Sequence, residues 1–525
     1  MSADSAALAR DASEGEGQTD SGGRWGFWVA VAVGIVLAAS GVLRFVARSD
    51  LWFDEALSVN ISRLALGDIP DALRQDGHPP LYYYLLHGWI SVFGAGDVAV
   101  RALSGVISVA TLPVAWLAGQ RLGGRRVAWA TLIVVATSPF VFRYATEARM
   151  YSLVMLLVFL GYLALRRALD QPTLPWLAAV AALAAALALT QYWDLYLLAV
   201  VFVGLAWRSW RAPPGRARSA VRRVTIALVV GSAAFLIWAP VFLDQVRHTG
   251  TPWGDAQFPW VAFARAIFDF GGTDENGESF VLLLAVILLP LLAIFGRGVD
   301  RRHVDLDLRT RPEARWEAAA GFGVLLVGGG LSYLAGTTFE PRYAATVFPL
   351  VALLAGFGAA VFLDRRVFAG VLAFVAVLGV AGGVRNATDQ RTQAGEIADV
   401  IRAEAESGDV VAYCPDQVGP AVSRLLDDVP GLEQMTYPDG ARPERVNWTD
   451  YRERIDSGNP AQFAANAVAR AGPHRVWYVN SLVNHVERAC GGVGGALDAA
   501  RPGDVRVVAD PYLFEFADLV EYRST

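Results

Sequence analysis

The sequence predicts a polytopic α-helical membrane protein with a C-terminal extracytoplasmic α/β domain. Three observations predict it. The 525-residue chain is 54% hydrophobic and only 18% charged, where an ordinary soluble domain is about 25% charged. The apolar residues fall in long, nearly uncharged runs of the length that crosses a bilayer as a helix, roughly 17–25 residues. Residues 385–525 change character, with short strand-like runs alternating with helical ones.

Taken in order, residues 1–24 are rich in Ala, Ser, Gly, Asp and Glu, lack apolar periodicity and read as a disordered tail. Spans are predicted at 25–47, 98–119, 126–144, 150–168, 174–191, 193–210, 223–243, 278–296, 317–336, 343–363 and 367–384, eleven in all. The first is too long for a signal-peptide core and lacks a small-residue cleavage site, so it is retained. The apolar segment from His78 to Gly94 carries two His and two Pro. At the lower limit of spanning length, it reads as a helix at the interface or packed among the spans.

The basic residues decide the topology. All 45 are Arg. The loops after the second, fourth, sixth, eighth and tenth spans hold Arg121, Arg125 and Arg126, then Arg166 and Arg167, Arg208 to Arg223, Arg297 to Arg315, and Arg365 and Arg366. They share one side only if 78–94 does not cross, and the positive-inside rule makes that side the cytoplasm. The chain is then a multi-pass protein of the cell membrane with a cytoplasmic N-terminus. Loops 48–97 and 244–277 and the domain 385–525 lie outside. The net charge of −5 adds little, because the charges are segregated by region.

Within 385–525, strands are predicted at Asp409 to Tyr413, His474 to Val479 and Asp504 to Val508, and helices at Pro420 to Leu426, Ala461 to Ala471 and Leu482 to Ala500. The two cysteines, Cys414 and Cys490, both fall in this external domain. An oxidising compartment makes a disulfide between them an expectation, with two buried free thiols as the alternative. The sequence shows no repeat, Walker loop, GxGxxG or Cys/His zinc spacing.

The chemistry concentrates after the first span. Asp54 and Glu55 sit between Trp52-Phe53 and Ala56-Leu57, which hold the acid pair at the bilayer surface. A carboxylate there can take a proton from a hydroxyl. Its neighbour can bind a sugar hydroxyl or a divalent cation. Two solvated loop acids are the plainer reading. Next comes Asp76-Gly77-His78-Pro79-Pro80-Leu81, in which Pro79 restrains His78 to extended backbone. A proline-started helix is again the plainer reading.

Together, the acid pair after the first span, the D-x-H-P-P-L opening of a membrane-associated helix and Arg101 in the second span resemble the GT-C glycosyltransferases of the protein O-mannosyltransferase and aminoarabinose-transferase group. The resemblance covers roughly residues 45–200, and beyond them it is architectural. It implies a GT-C transmembrane domain over 25–384 and a polyprenyl-phosphate-linked sugar donor. Asp54 is implied as the general base, and Arg101 as the counterpart of a family arginine. The turn Glu147-Ala148-Arg149-Met150-Tyr151 resembles the E-A-R-M-Y turn of bacterial members, and Arg342-Tyr343 an Arg-Tyr pair frequent in the group. A guanidinium matches phosphate geometry, so Arg342, Arg101, Arg149 and His78 are expected near the lipid phosphate. Glu55 and Asp76 are expected to orient sugar or acceptor. Glu55, Asp76 and His78 are the candidate ligands if a divalent cation such as Mg or Mn takes part. Helix-capping by a Glu147–Arg149 pair and an interfacial role for Arg342 are the plainer alternatives. HPPL continues with Tyr82-Tyr83-Tyr84 where the mannosyltransferases usually carry Gly-Lys, and no MIR-type insertion is present.

The expected function is a membrane glycosyltransferase acting outside the cytoplasm on a glycan, lipid or protein acceptor, with no nucleic-acid partner. The rival classes are a transporter or flippase of a lipid-linked glycan and a non-catalytic glycan-binding membrane protein.

Overall fold

The computed structural model describes residues 20–251, 254–272, 277–482 and 486–524. Of the expected tail, residues 1–19 lie outside the described residues, and Asp20 already begins helix α1 (Asp20–Leu43). Part of the second external loop, 252–253 and 273–276, also lies outside them.

Three short helices follow: α2 (Phe53–Ser62), α3 (Ile69–Asp76) and α4 (Leu81–Phe93). Helix α4 has 13 residues, about 20 Å at 1.5 Å per residue, short of the roughly 30 Å hydrocarbon core. It lies against α2 and the start of α5 (Asp97–Thr137). Helix α5 leaves helical geometry at Gly123 and Gly124, the latter at φ 79°, so it forms two spans joined by a glycine turn. Helix α6 (Pro139–Ala145) continues the second of them.

The break before α6 explains how α1 is fixed. Pro139 has no N–H, so the carbonyl of Val135 loses its helical donor. The buried Arg44 guanidinium fills the vacancy, donating to Val135 O at 3.0 Å, Ala136 O at 3.1 Å and Ser108 Oγ at 3.0 Å. A buried charge is tolerable because its donors find acceptors on Ser40, Ser108, Val135 and Ala136 and its face lies over the Phe142 ring.

The membrane region continues with α7 (Tyr151–Asp170), α8 (Leu174–Ala188), α9 (Trp193–Arg211), α10 (Arg216–Ser232), α11 (Ala239–His248), α12 (Pro259–Phe270) and α13 (Gly277–Phe295). A small hairpin, β1 (Gly296–Gly298) and β2 (Val304–Leu306), precedes α14 (Arg315–Leu334), α15 (Phe348–Ala359) and α16 (Arg365–Thr388). Each apolar run read from the sequence falls on helix. The runs 126–144, 223–243 and 343–363 are broken where Pro139, Pro240 and Pro349 start new helices. Among the described residues, five helices are long and apolar enough to cross a membrane, and four more apolar helices are shorter. Small residues let them approach closely: a Cβ on Gly358 would strike the carbonyl of Leu289.

The Arg-rich turns gather at one end of the bundle. Arg121 pairs with Asp170, Arg126 with the carbonyls of Phe362 and Leu363, and Arg166 with Glu317. The segments holding Asp54, Arg149 and Arg342 occupy the other ends of the same helices.

Beyond α16 and α17 (Ala394–Glu404) lies a five-stranded sheet of β3 (Val410–Cys414), β4 (Glu433–Thr436), β5 (Val476–Ser481), β6 (Gly503–Val507) and β7 (Ala517–Tyr522). The order is β4-β3-β5-β7-β6, with β4, β3 and β5 parallel and β7 antiparallel to both neighbours. Helices α18 (Gly419–Leu425), α19 (Tyr451–Ser457), α20 (Pro460–Ala471) and α21 (Glu487–Ala500) complete the domain. Cys414 and Cys490 are disulfide-bonded with Cα atoms 5.5 Å apart. The domain sits on the segment between α1 and α5: Trp448 N–H donates to Gln75 O at 3.0 Å, Asn60 Nδ2 to Glu444 O at 2.7 Å, and Arg424 pairs with Asp97 at 3.0 Å.

Because the bridge closes a chain separation of 76 residues, Cys414→Ser with Cys490→Ser should destabilise the outer domain by about 2–4 kcal/mol. Thermal unfolding of the detergent-solubilised protein, with and without reductant, measures this. An unchanged transition would contradict it.

Candidate active site

Helix α2 begins with Asp54 and Glu55 in its first turn. Successive helical residues diverge by about 100°, and the two acids have different fates. Glu55 turns inward and is fully buried. Arg101 clamps it bidentately, Nε to Oε1 at 2.8 Å and Nη2 to Oε2 at 2.5 Å, and Ala148 N–H adds a bond at 2.9 Å. Burial alone would raise the Glu55 carboxyl, but the Arg101 charge overcomes it and holds it below the usual range. The remaining Arg101 donors reach Ser49 O at 2.6 Å and Asp50 O at 2.9 Å.

Asp54 faces the other way. Its Oδ2 lies 3.6 Å from Arg149 Nη2 and 3.4 Å from Arg342 Nη1, with the side chain 13% exposed. Those distances are charge contacts rather than hydrogen bonds, and Asp54 Oδ2 has no hydrogen-bond partner among the described residues.

Arg149 is set by a relay from α3 and α4. Gly77, at φ 91°, ends α3 in the left-handed region that only glycine adopts freely, and the reversal brings His78 onto Asp76. Arg149 Nη2 lies 3.0 Å from His78 Nε2, and His78 Nδ1 lies 2.9 Å from Asp76 Oδ2. Arginine only donates, so Nε2 accepts and the ring proton sits on Nδ1, donated to Asp76. Tyr83 donates a second bond to Asp76 at 2.9 Å. Burial would raise the Asp76 carboxyl, yet His78 and these bonds hold it below the usual range. Ser58 Oγ accepts from Arg149 Nη1 at 2.9 Å and donates to Asp54 O at 2.8 Å, locking guanidinium and helix together. Burial opposes the charge of Arg149, and Asp54 overcomes it, holding the guanidinium well above its usual value.

Buried polar groups are normally satisfied. Around this cluster they are not. Besides Asp54 Oδ2, the buried atoms Arg149 Nε, Arg342 Nε, Tyr151 Oη, Trp52 Nε1 and Glu147 Oε2 have no hydrogen-bond partner among the described residues. Such a concentration marks a place where a polar ligand completes the bonding.

The structure brings Asp54, Arg149, Arg342, His78 and Asp76 together. Tyr343 follows Arg342 and stacks on Trp193 at 5.9 Å. Glu147 pairs with Arg143 at 2.6 Å, not with Arg149. Two expectations are corrected. Glu55 and Arg101 satisfy each other in a buried brace and contribute no free group to the cluster. Glu55, Asp76 and His78 also do not fit a divalent cation: Glu55 is consumed by Arg101 and Ala148, and Asp76 and His78 by each other, Tyr83 and Arg149. Among the described residues, no three His, Cys, Asp or Glu are grouped to hold a metal ion.

Sequence reasoning missed Trp52 as a polar group, Tyr151 as a site residue, and Glu515 altogether. Gln191 and Asp194 at the same end of the bundle also carry unpartnered buried atoms. Trp52 and Tyr151 adjoin motif residues and could have been nominated. Glu515 lies far along the chain, and no local pattern announces it.

Residues 77–241 match the family described as dolichyl-phosphate-mannose-protein mannosyltransferase. No curated protein sequence matches the chain. Among solved structures, ArnT from Cupriavidus metallidurans in the apo state superposes with a TM-score of 0.60 at 14% identity, covering 95% of this chain and 98% of that one. The same enzyme bound to undecaprenyl phosphate gives 0.58 at 16% identity, covering 94% and 98%. The arabinofuranosyltransferase AftD from Mycobacteria gives 0.51 at 14% identity, covering 95% of this chain and 40% of that one. The chain thus has the fold of the GT-C membrane glycosyltransferases. Within that superfamily it resembles the O-mannosyltransferase and ArnT group, and family match and fold together support a membrane glycosyltransferase.

Arg101→Met should leave Glu55 buried and uncompensated, lowering stability by about 3–5 kcal/mol. Adding Glu55→Leu should recover part of the loss. Thermal denaturation in detergent checks both. Equal stability of Arg101→Met and the wild type would contradict the brace.

Proposed function

We propose that this protein transfers a sugar from a polyprenyl-phosphate carrier to an acceptor hydroxyl at the outer face of the cell membrane, with inversion and with Asp54 as general base. The observation that carries the reading is the largely buried Asp54 carboxylate, whose Oδ2 lacks a hydrogen bond and is flanked by Arg149 and Arg342. ArnT, the structural neighbour, is known bound to undecaprenyl phosphate, which supports a donor of that type.

The chemistry follows from the charges. The carrier phosphate is anionic, and pairs of its oxygens match the planar guanidinium fork, so it draws Arg342 and Arg149 away from Asp54. Asp54 is then free to take the acceptor proton as the hydroxyl oxygen attacks the anomeric carbon. The bond from that carbon to the phosphate oxygen breaks, and its electron pair leaves with polyprenyl phosphate, whose growing charge the two guanidiniums stabilise. Asp76 and His78 hold Arg149 in register, and the Glu55–Arg101 pair holds α2. Tyr343, on Trp193, walls the site behind Arg342. No step runs through a metal ion.

The topology belongs to the same proposal: the N-terminus in the cytoplasm, the catalytic segment and the domain beyond residue 385 outside. The Arg-rich turns at the end of the bundle opposite Asp54 support it. The sugar's identity is set by contacts beyond this cluster.

Asp54→Asn should abolish turnover of a polyprenyl-phosphate sugar while undecaprenyl phosphate still binds. Retained turnover would refute Asp54 as base. Arg342→Met should lower kcat/KM by about 100- to 1,000-fold, the usual loss of one preorganised donor. Steady-state release of polyprenyl phosphate reads out both.

A further inference from the structure

The segment between β6 and β7 reaches from the outer domain down onto the catalytic helix. Gln393 ties its two ends, accepting from Asp510 N at 2.8 Å and Ala517 N at 3.4 Å, while Phe514 N donates to Arg391 O at 3.0 Å. Phe516 takes a left-handed φ of 45°, a costly conformation for an aromatic residue, and its neighbour Glu515 is driven inward. Glu515 Oε1 accepts from Phe53 N at 2.7 Å, capping α2 one residue before Asp54. Its Oε2 is buried without a hydrogen-bond partner among the described residues.

The surroundings share one chemistry. Phe514 lies 4.4 Å from the Trp52 ring and 5.0 Å from the Arg143 guanidinium, which pairs with Glu147. Trp52 Nε1 and Glu147 Oε2 are, like Glu515 Oε2, buried and unpartnered, and Trp52 and Glu147 are 5% and 1% exposed. Phe514, by contrast, is 52% exposed and Tyr512 on the same segment 92%. The site thus offers one indole donor, two carboxylate acceptors and open aromatic rings. Arg342 lies over Trp52 at 5.6 Å, so this place adjoins the phosphate-binding arginines.

We propose that Trp52, Glu147, Glu515 and the rings of Phe514 and Tyr512 form the acceptor subsite, and that the acceptor is an uncharged saccharide. A sugar presents hydroxyl protons to carboxylate oxygens, a ring or hydroxyl oxygen to the indole N–H, and C–H faces to aromatic rings. Glu147, already paired with Arg143, and Glu515 offer no positive charge to an anionic acceptor. Burial pushes the Glu515 carboxyl up to about 7. This deepens the transferase reading and rests on it for the role of acceptor, but the binding itself does not need turnover.

The test is equilibrium binding to the full chain in detergent, with neutral mannose and arabinose oligosaccharides, an oligogalacturonate of matched length and a Ser/Thr-rich peptide as probes. A neutral oligosaccharide should bind. Trp52→Phe, which keeps the ring and removes the N–H, should weaken it about five- to ten-fold, and Glu515→Met about ten-fold or more, with melting temperature reporting the fold of each variant. No neutral saccharide binding, tighter binding of the oligogalacturonate or the peptide, or unchanged affinity in folded Trp52→Phe would overturn the subsite. Loss of lipid-linked sugar turnover in Asp54→Asn, measured separately, tests the transferase reading alone. Saccharide binding by a protein that turns over no donor would leave the subsite standing and sink only that reading.

Discussion

A largely buried carboxylate held between two guanidiniums, with one oxygen left without a hydrogen bond, is the constraint on which the rest of this structure depends. Like-charged arginines would not approach one another at a membrane surface unless an anion lay between them. Asp54 is that anion. Two guanidiniums share its one carboxylate, and its Oδ2 meets neither as a hydrogen bond; in the proposed reading an arriving phosphate supplies oxygens to both and leaves Asp54 free to act as the base.

Holding three such groups in place costs conformational freedom, and the fold supplies it by layers. The Glu55–Arg101 brace ties α2 to α5 with two hydrogen bonds within one buried charge pair, and two more from Arg101 hold the chain before α2 at Ser49 and Asp50. The Asp76–His78 pair ties α3 and the start of α4 to Arg149. From above, Glu515 caps α2. Each layer comes from a different part of the chain, so the outer domain is a structural part of the site rather than an appendage to the membrane region.

Much of this was legible in the sequence. Apolar run lengths located the helices because a bilayer leaves few alternatives to a helix of fixed length. The brevity of α4 was readable from its prolines and histidines. The parallel core of the outer domain showed in its Val-rich runs, whereas β4 and β7 did not: β4 is four residues of mixed polarity and β7 carries Asp518 and Glu521. The sequence placed Asp54, Arg149 and Arg342 at one end of the bundle, and the structure has them as neighbours. The opposite fates of Asp54 and Glu55 were not readable, because adjacency in sequence hides a turn of about 100° in space. Arg101 looked like a phosphate ligand because nothing in a sequence tells a guanidinium with a buried carboxylate partner from one without. Glu515 was invisible because its meaning comes only from where β6 and β7 place the segment between them.

The most direct measurement is to reconstitute the full chain in lipid, offer a panel of polyprenyl-phosphate-linked pentoses and hexoses, and follow release of the lipid phosphate. The account predicts release from at least one donor. Folded protein that releases none, while moving the intact lipid-linked sugar across the bilayer, would contradict it.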